Sequence, residues 1–116
     1  MKAILPGIKR ETRILLVYKC RESNTIVLAI ILRGYRIEKL FFDSSYTKLI
    51  TDIRKDSSYK EINFCTSLDE NGGRGEEANL CMKLGLPLLG VSLANIVGKE
   101  NVETLRGFLE ELCDNI

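Results

Sequence analysis

The sequence contains no histidine, no tryptophan and no glutamine. Without histidine, no imidazole can serve as a zinc ligand or as the general base of a serine or cysteine nucleophile. Long apolar runs are also missing. The longest, Ile26 to Leu32, is much shorter than the roughly 20 residues that a membrane-spanning helix needs. The amino terminus lacks the layout of a signal peptide, so we expect a cytoplasmic protein.

The four cysteines form no Cys-x-x-Cys pair, which argues against a zinc knuckle. Each of Cys20, Cys65, Cys81 and Cys113 lies beside an apolar segment, and we therefore expect free, mostly buried thiols. Disulfides are the alternative, and a hyperthermophilic source would favour them. The lack of glutamine and the abundance of isoleucine, lysine, arginine and glutamate are typical of such a source.

The chain has 116 residues, of which 45% are hydrophobic and 28% are charged. This length and balance predict one soluble α/β domain over residues 1–116, with a single core. The net charge of +1 hides an asymmetry, because residues 1–60 contain 13 Lys/Arg and 6 Asp/Glu, whereas residues 61–116 contain 4 and 10. Either the two halves neutralise one another across one sheet, or the first half offers a basic surface to nucleic acid.

Alternation and turn residues predict strands over 13–19, 25–32, 35–42, 61–67 and 87–93, the third of them at an edge of the sheet. Helical spacing predicts a helix that follows a cap at Asp43 or Ser44 and a second one over 76–84, closed by Gly85. A third should start at a cap on Asn101. Its apolar face comprises Val102, Leu105, Phe108, Leu109 and Leu112.

The resulting order is β-β-β-α-β-α-β-α, an antiparallel meander followed by alternating units that favour parallel crossovers. We therefore expect a five-stranded mixed sheet with helices packed on it. This is the order of elements in the ribonuclease-H-like fold.

Two stretches resemble the endonuclease V-like family. One is Leu84 to Leu93, which contains a Leu-Pro and a Gly-Val pair after a glycine-rich loop, and the other is Ala29 to Leu40, which is similar to two strands of an uncharacterised archaeal branch. The resemblance implies a nuclease in which carboxylates hold a divalent metal ion. It places one carboxylate in the middle of the first strand and another at the end of the fourth.

The chain departs from that pattern at three positions. The first strand offers Lys19 and no acid, Cys65 falls near the second ligand position unless Asp69 takes it, and Leu93 stands where the family has lysine. The resemblance therefore implies a catalytically degenerate relative, with no cofactor.

The alternative site uses Asp43, Asp69 and Glu70 as catalytic and metal-binding carboxylates, with magnesium or manganese as the cofactor. Glu76 and Glu77 could join this acidic cluster, or could simply favour the start of a helix. The glycine loop over 72–75 could cradle a phosphate, but those two glutamates would repel the anion.

Two classes of function follow. The first is a degenerate nuclease relative that binds nucleic acid or protein, and the second is a metal-dependent nuclease or phosphodiesterase with a rearranged carboxylate site. The candidate nucleic-acid-binding residues are Arg10, Arg13, Arg33, Arg36 and Lys39. The predicted edge strand, which contains Phe41 and Phe42, also offers a route to a homodimer.

Overall fold

In the part of the chain that the structure describes, four strands form one mixed sheet. The computed structural model describes residues 12–20, 26–34, 36–68, 76–89 and 93–116. The strands run in the spatial order β3-β2-β1-β4, with β2 antiparallel to both of its neighbours and β4 parallel to β1. Their bounds are Arg13–Lys19 for β1, Val27–Arg33 for β2, Arg36–Asp43 for β3 and Phe64–Ser67 for β4.

Helices lie on both faces of this sheet. Their bounds are Tyr46–Lys55 for α1, Glu76–Lys83 for α2, Ala94–Val97 for α3 and Lys99–Asn115 for α4, with a turn of 3-10 helix at Tyr59–Glu61. Within the described ranges, no helix has the length and apolar character needed to span a bilayer.

The two central strands carry a core on each side because almost every residue in them is apolar. Leu15 and Val17 of β1 pack towards α1 and α2, a side that we call the α1/α2 face. Leu16 and Tyr18 point the other way, towards α3 and α4, and lie on the α3/α4 face. Each fully buried leucine or isoleucine stabilises the fold by about 1.5–3 kcal/mol, so β1 and β2 anchor the structure.

Two disulfides overturn the prediction of free thiols. Cys20, just after β1, is bonded to Cys113 of α4, and the two Cα atoms lie 5.7 Å apart. Cys65 of β4 is bonded to Cys81 of α2, with a Cα separation of 5.6 Å. The spacing of the four cysteines gave no indication of these pairs, because the pairing depends on where α2 and α4 pack against the sheet.

The prediction of a five-stranded ribonuclease-H-like sheet is wrong. Of the expected strand over 87–93, the described residues contribute one isolated parallel bridge, between Leu88 and Cys65. It is held by the Cys65 amide, which donates to Pro87 O at 2.9 Å, and by the Leu89 amide, which donates to Cys65 O at 3.0 Å. Proline has no N–H with which to extend the ladder before Leu88, and β4 is only four residues long. Residues 90–92 of the expected strand lie outside the described residues.

The helix ends show where the sequence signals succeed and fail. Gly85 ends α2 as predicted: its φ of 72° permits the 3.2 Å hydrogen bond from the Leu86 amide to Cys81 O that completes a Schellman motif. Helix α1 is capped by Ser45, not by Asp43 or Ser44. The last helix, α4, starts before Asn101, whose side-chain amide donates back to Val97 O at 2.6 Å.

Candidate functional site

Three of the predicted nucleic-acid-binding residues are engaged in ion pairs. Arg13 Nε donates to Glu38 Oε1 at 2.8 Å and lies 3.8 Å from Glu61 Oε2. Arg33 Nη1 lies 3.5 Å from the other oxygen of Glu38. The hydrogen bond from Arg13, together with the nearby charge of Arg33, lowers the pKa of Glu38. One carboxylate thus partly neutralises two arginines on neighbouring strands.

A β-bulge in β3 explains how Glu38 reaches both arginines. Ile31 of β2 pairs with Lys39, and the next residue, Leu32, pairs with Ile37, so Glu38 is an extra residue without a partner on β2. Such a bulge turns the extra side chain out of the regular alternation. Glu38 therefore lies on the α1/α2 face together with Arg13 and Arg33.

Lys39 is the third engaged residue. Its Nζ lies 2.5 Å from Asp56 Oδ1, just after the end of α1. The same oxygen accepts hydrogen bonds from the hydroxyl and the backbone amide of Ser58, at 2.5 and 2.9 Å. Lys39, aided by Ser58, lowers the pKa of Asp56 from 3.8 to about 2, because each of these contacts favours the charged carboxylate. Lys39 thus fastens the edge strand to the end of α1.

The remaining basic candidates are Arg36 and Arg10. Arg36 is exposed at the start of β3, where it pairs with Arg33 of β2, and Arg10 lies outside the described residues. The ion pairs reduce the positive charge that this end of the sheet can offer to phosphate groups.

The structure gives the acidic candidate Asp43 a local role. Its Oδ1 accepts the Ser45 amide at 3.0 Å, and Ser45 in turn accepts the Lys48 amide at the start of α1. Asp43 thus shapes the turn that leads into the helix. Asp69 and Glu70 lie outside the described residues, as does the glycine loop, and the side chains of Glu76 and Glu77 are not described either.

The described part of the chain contains no group of three or more acidic, cysteine or histidine side chains that could hold a metal ion. The strands β1 and β4, where the resemblance places the ligands, carry no carboxylate. Cys65, near the second ligand position, is fully buried and bonded to Cys81. A sulfur in a disulfide has no thiolate to offer to a metal ion.

Comparisons with protein-family models, with curated proteins and with solved structures found no match. The site must therefore be judged on its own geometry.

That geometry contains an exposed apolar stripe that sequence reasoning did not identify. On β3, Ile37 and Leu40 are each 38% exposed and Phe42 is 50% exposed. The alternation expected from the sequence puts Ile37 on the opposite face from Leu40. The bulge reverses the alternation, so all three side chains lie on the α3/α4 face, which we infer from their pairing with Leu32, Ile30 and Leu28 of the second core cluster.

We call Ile37, Leu40 and Phe42 the edge stripe. They lie on β3, the strand at one end of the sheet order β3-β2-β1-β4. The sequence does carry one signal for it. Two polar residues, Glu38 and Lys39, separate Ile37 from Leu40, which breaks the period of two that a regular strand would show. Such a break is what a bulge leaves in a sequence.

Proposed function

We propose that this chain is a binding module without nuclease activity, and that the edge strand β3 is its contact surface for protein. The observation that carries the proposal is the edge stripe. Three large apolar side chains are exposed on a strand whose outer edge pairs with no other strand among the described residues. Soluble proteins usually protect such an edge with charges, a bulge or a covering element. In β3 the bulge at Glu38 and the charge of Lys39 lie before the apolar run that starts at Leu40, and an exposed apolar cluster is typical of a surface that a partner covers.

We propose that the resemblance to the endonuclease V-like family reflects common descent without the family's activity. Two-metal cleavage needs carboxylates that hold two ions about 3.5–4 Å apart in a fixed arrangement. Strands β1 and β4 offer none, and Cys65, which falls near the second ligand position unless Asp69 takes it, is bonded to Cys81. A catalytically degenerate relative fits these observations.

A protein partner fits the charges better than a nucleic acid does. Binding to DNA or RNA depends on cations that are free to replace counterions at phosphates. Arg13, Arg33 and Lys39 already face Glu38 and Asp56, so a nucleic acid would have to displace these carboxylates. The apolar stripe, in contrast, loses no ion pair when a protein strand covers it.

The experiment is a cleavage assay on the full chain with single- and double-stranded DNA and RNA, in magnesium or manganese. We expect no cleavage. Cutting that is lost in Asp69→Asn, but kept in the matched control Asp52→Asn on the exposed side of α1, would overturn the proposal. It would establish the alternative, a nuclease or phosphodiesterase with a rearranged site that includes Asp43, Asp69 or Glu70.

We also propose that the protein works in the cytoplasm of a hyperthermophile. Disulfides persist in the cytoplasm of such organisms, whereas they are rare in other cytoplasms, and both cysteine pairs are bonded here. The oxidised protein should then unfold near or above about 90 °C, compared with about 45–65 °C for ordinary domains. Unfolding in the lower range would point to an oxidising compartment of a mesophile instead.

A further inference from the structure

The geometry points to a second copy of this chain as the partner of β3, paired antiparallel about a two-fold axis that passes through Phe41. This inference rests on the proposed function and names the partner that the edge strand takes. Pairing two sheets through their β3 strands would join two four-stranded sheets into one of eight strands. A two-fold axis makes the contact self-complementary, so one strand must satisfy both sides.

The pleat limits which registers are possible. Residues that lie directly opposite one another in an antiparallel pair point to the same face of the sheet. Beyond the bulge, Lys39, Phe41 and Asp43 lie on the α1/α2 face, while Leu40 and Phe42 lie on the α3/α4 face, as their partners on β2 show. An axis placed midway between two successive residues of β3 would set side chains of one face opposite side chains of the other face. The axis must therefore lie at a single residue, which then stands opposite the same residue of the second copy.

Among those registers, the one centred on Phe41 matches the side chains best. It sets each Leu40 opposite Phe42 of the second copy, which covers four apolar side chains that are exposed in the single chain. An axis through Leu40 would instead set Glu38, an ionised side chain on the α1/α2 face, opposite the apolar Phe42. An axis through Phe42 would leave Leu40 opposite Ser44.

Charge complementarity supports the same register. On the other face, it sets each Lys39 opposite Asp43 of the second copy, and opposite charges across a strand pair are favourable. Lys39 is 42% exposed while bound to Asp56, so its ammonium group can serve both carboxylates. No like charges face each other between residues 39 and 43 in this register.

Cysteine cross-linking tests the register. All four native cysteines are in disulfides, so Leu40→Cys and Phe42→Cys each add one free thiol at an exposed position. Directly opposed residues lie about 4.5–5.5 Å apart and diagonal ones about 7–8 Å apart, and a disulfide needs Cα atoms within about 7 Å. We expect mild oxidation to link an equimolar mixture of the two variants and to link neither variant alone. Linkage within a single variant, or none in the mixture, would overturn the register.

Light scattering after size-exclusion chromatography tests the pairing itself. The full chain should elute with twice its mass of 13.1 kDa, and Phe42→Asp should return it to 13.1 kDa with an unchanged circular dichroism spectrum. Met82→Asp is the matched control, since Met82 is 67% exposed on α2, away from β3, and it should stay dimeric. A monomeric full chain at high concentration would overturn the self-pairing. That result would leave the proposed function standing, with a different protein as the partner of β3. Metal-dependent cleavage by a dimeric chain would instead refute the proposed function and leave the pairing of β3 standing.

Discussion

Replacing Cys20 and Cys113 with alanine should destabilise the fold more than replacing Cys65 and Cys81. The first disulfide closes a stretch with a sequence separation of 93 and the second closes one of 16. A disulfide stabilises chiefly because it restricts the unfolded chain, and a longer closed loop loses more entropy. The chain-entropy relation gives about 4.6 kcal/mol for the long loop and about 3 kcal/mol for the short one.

The difference of about 1.5 kcal/mol is the quantity to test, because it is less sensitive than either value to the cavity that alanine leaves. Small domains are stable by only about 5–15 kcal/mol, so loss of the Cys20–Cys113 bond would remove a large share of the total. Without it, contacts such as the 2.9 Å hydrogen bond from the Tyr18 hydroxyl to Glu110 Oε1 and the burial of Leu109 would have to hold α4 on the sheet.

Equilibrium unfolding in urea at neutral pH measures both losses. Both double variants and the parent chain should be compared with and without a phosphine reductant, which should destabilise the parent chain by more than it destabilises either variant. The reasoning is refuted if the Cys65→Ala/Cys81→Ala variant loses as much stability as the Cys20→Ala/Cys113→Ala variant, or if the reductant leaves the parent chain unchanged.

Three further predictions concern single residues. The pKa of Asp56 is lowered from 3.8 to about 2, so its contribution to stability is present above pH 3.8 and is lost as the pH falls through about 2. Carboxyl NMR should show a midpoint near 2 that rises in Lys39→Met, and a midpoint near 3.8 in the parent chain would contradict the ion pair. Glu38→Gln should free two arginines and therefore delay elution of the protein from a heparin column. The delay should be longer than that of the control Glu103→Gln on α4, and equal elution of the two variants would show that Glu38 does not mask the arginines. Gly85→Ala should lower the free energy of unfolding in urea by about 1 kcal/mol, because alanine is strained at a φ of +72°. The added Cβ meets nothing within 4 Å, so no clash adds to this strain, and an unchanged urea midpoint would contradict the prediction.

The elements that could be read from the sequence are those with a local cause. Continuous apolar runs placed β1 and β2, because both faces of these strands are buried. The spacing of Leu49, Ile50 and Ile53 placed α1, because it buries one side of the helix. Gly85 marked the end of α2 because few other residues adopt a positive φ.

The elements that could not be read depend on contacts between distant parts of the chain. Whether Leu88 begins a strand or makes one bridge depends on the short β4 beside it. The pairing of Cys20 with Cys113 depends on where α4 crosses the sheet. The edge stripe depends on a bulge at Glu38, which is stabilised by arginines on two other strands.

The candidate site was only partly foreseen, for the same reason. Basic residues could be identified one by one, but their ion pairs arise from cross-strand neighbours that no spacing in the sequence reveals. Likewise, the sequence pointed to β3 as an edge strand without showing that Ile37 shares a face with Leu40 and Phe42.

Amide hydrogen exchange of β3 at increasing protein concentration tests the central claim most directly. In an edge strand, alternate amides point away from the neighbouring strand and meet only water. If β3 pairs with β3 of a second copy, those amides between Lys39 and Asp43 should become protected as the concentration rises, while amides of α1 exchange at an unchanged rate. Exchange in β3 that stays equally fast at every concentration would contradict the self-pairing of β3.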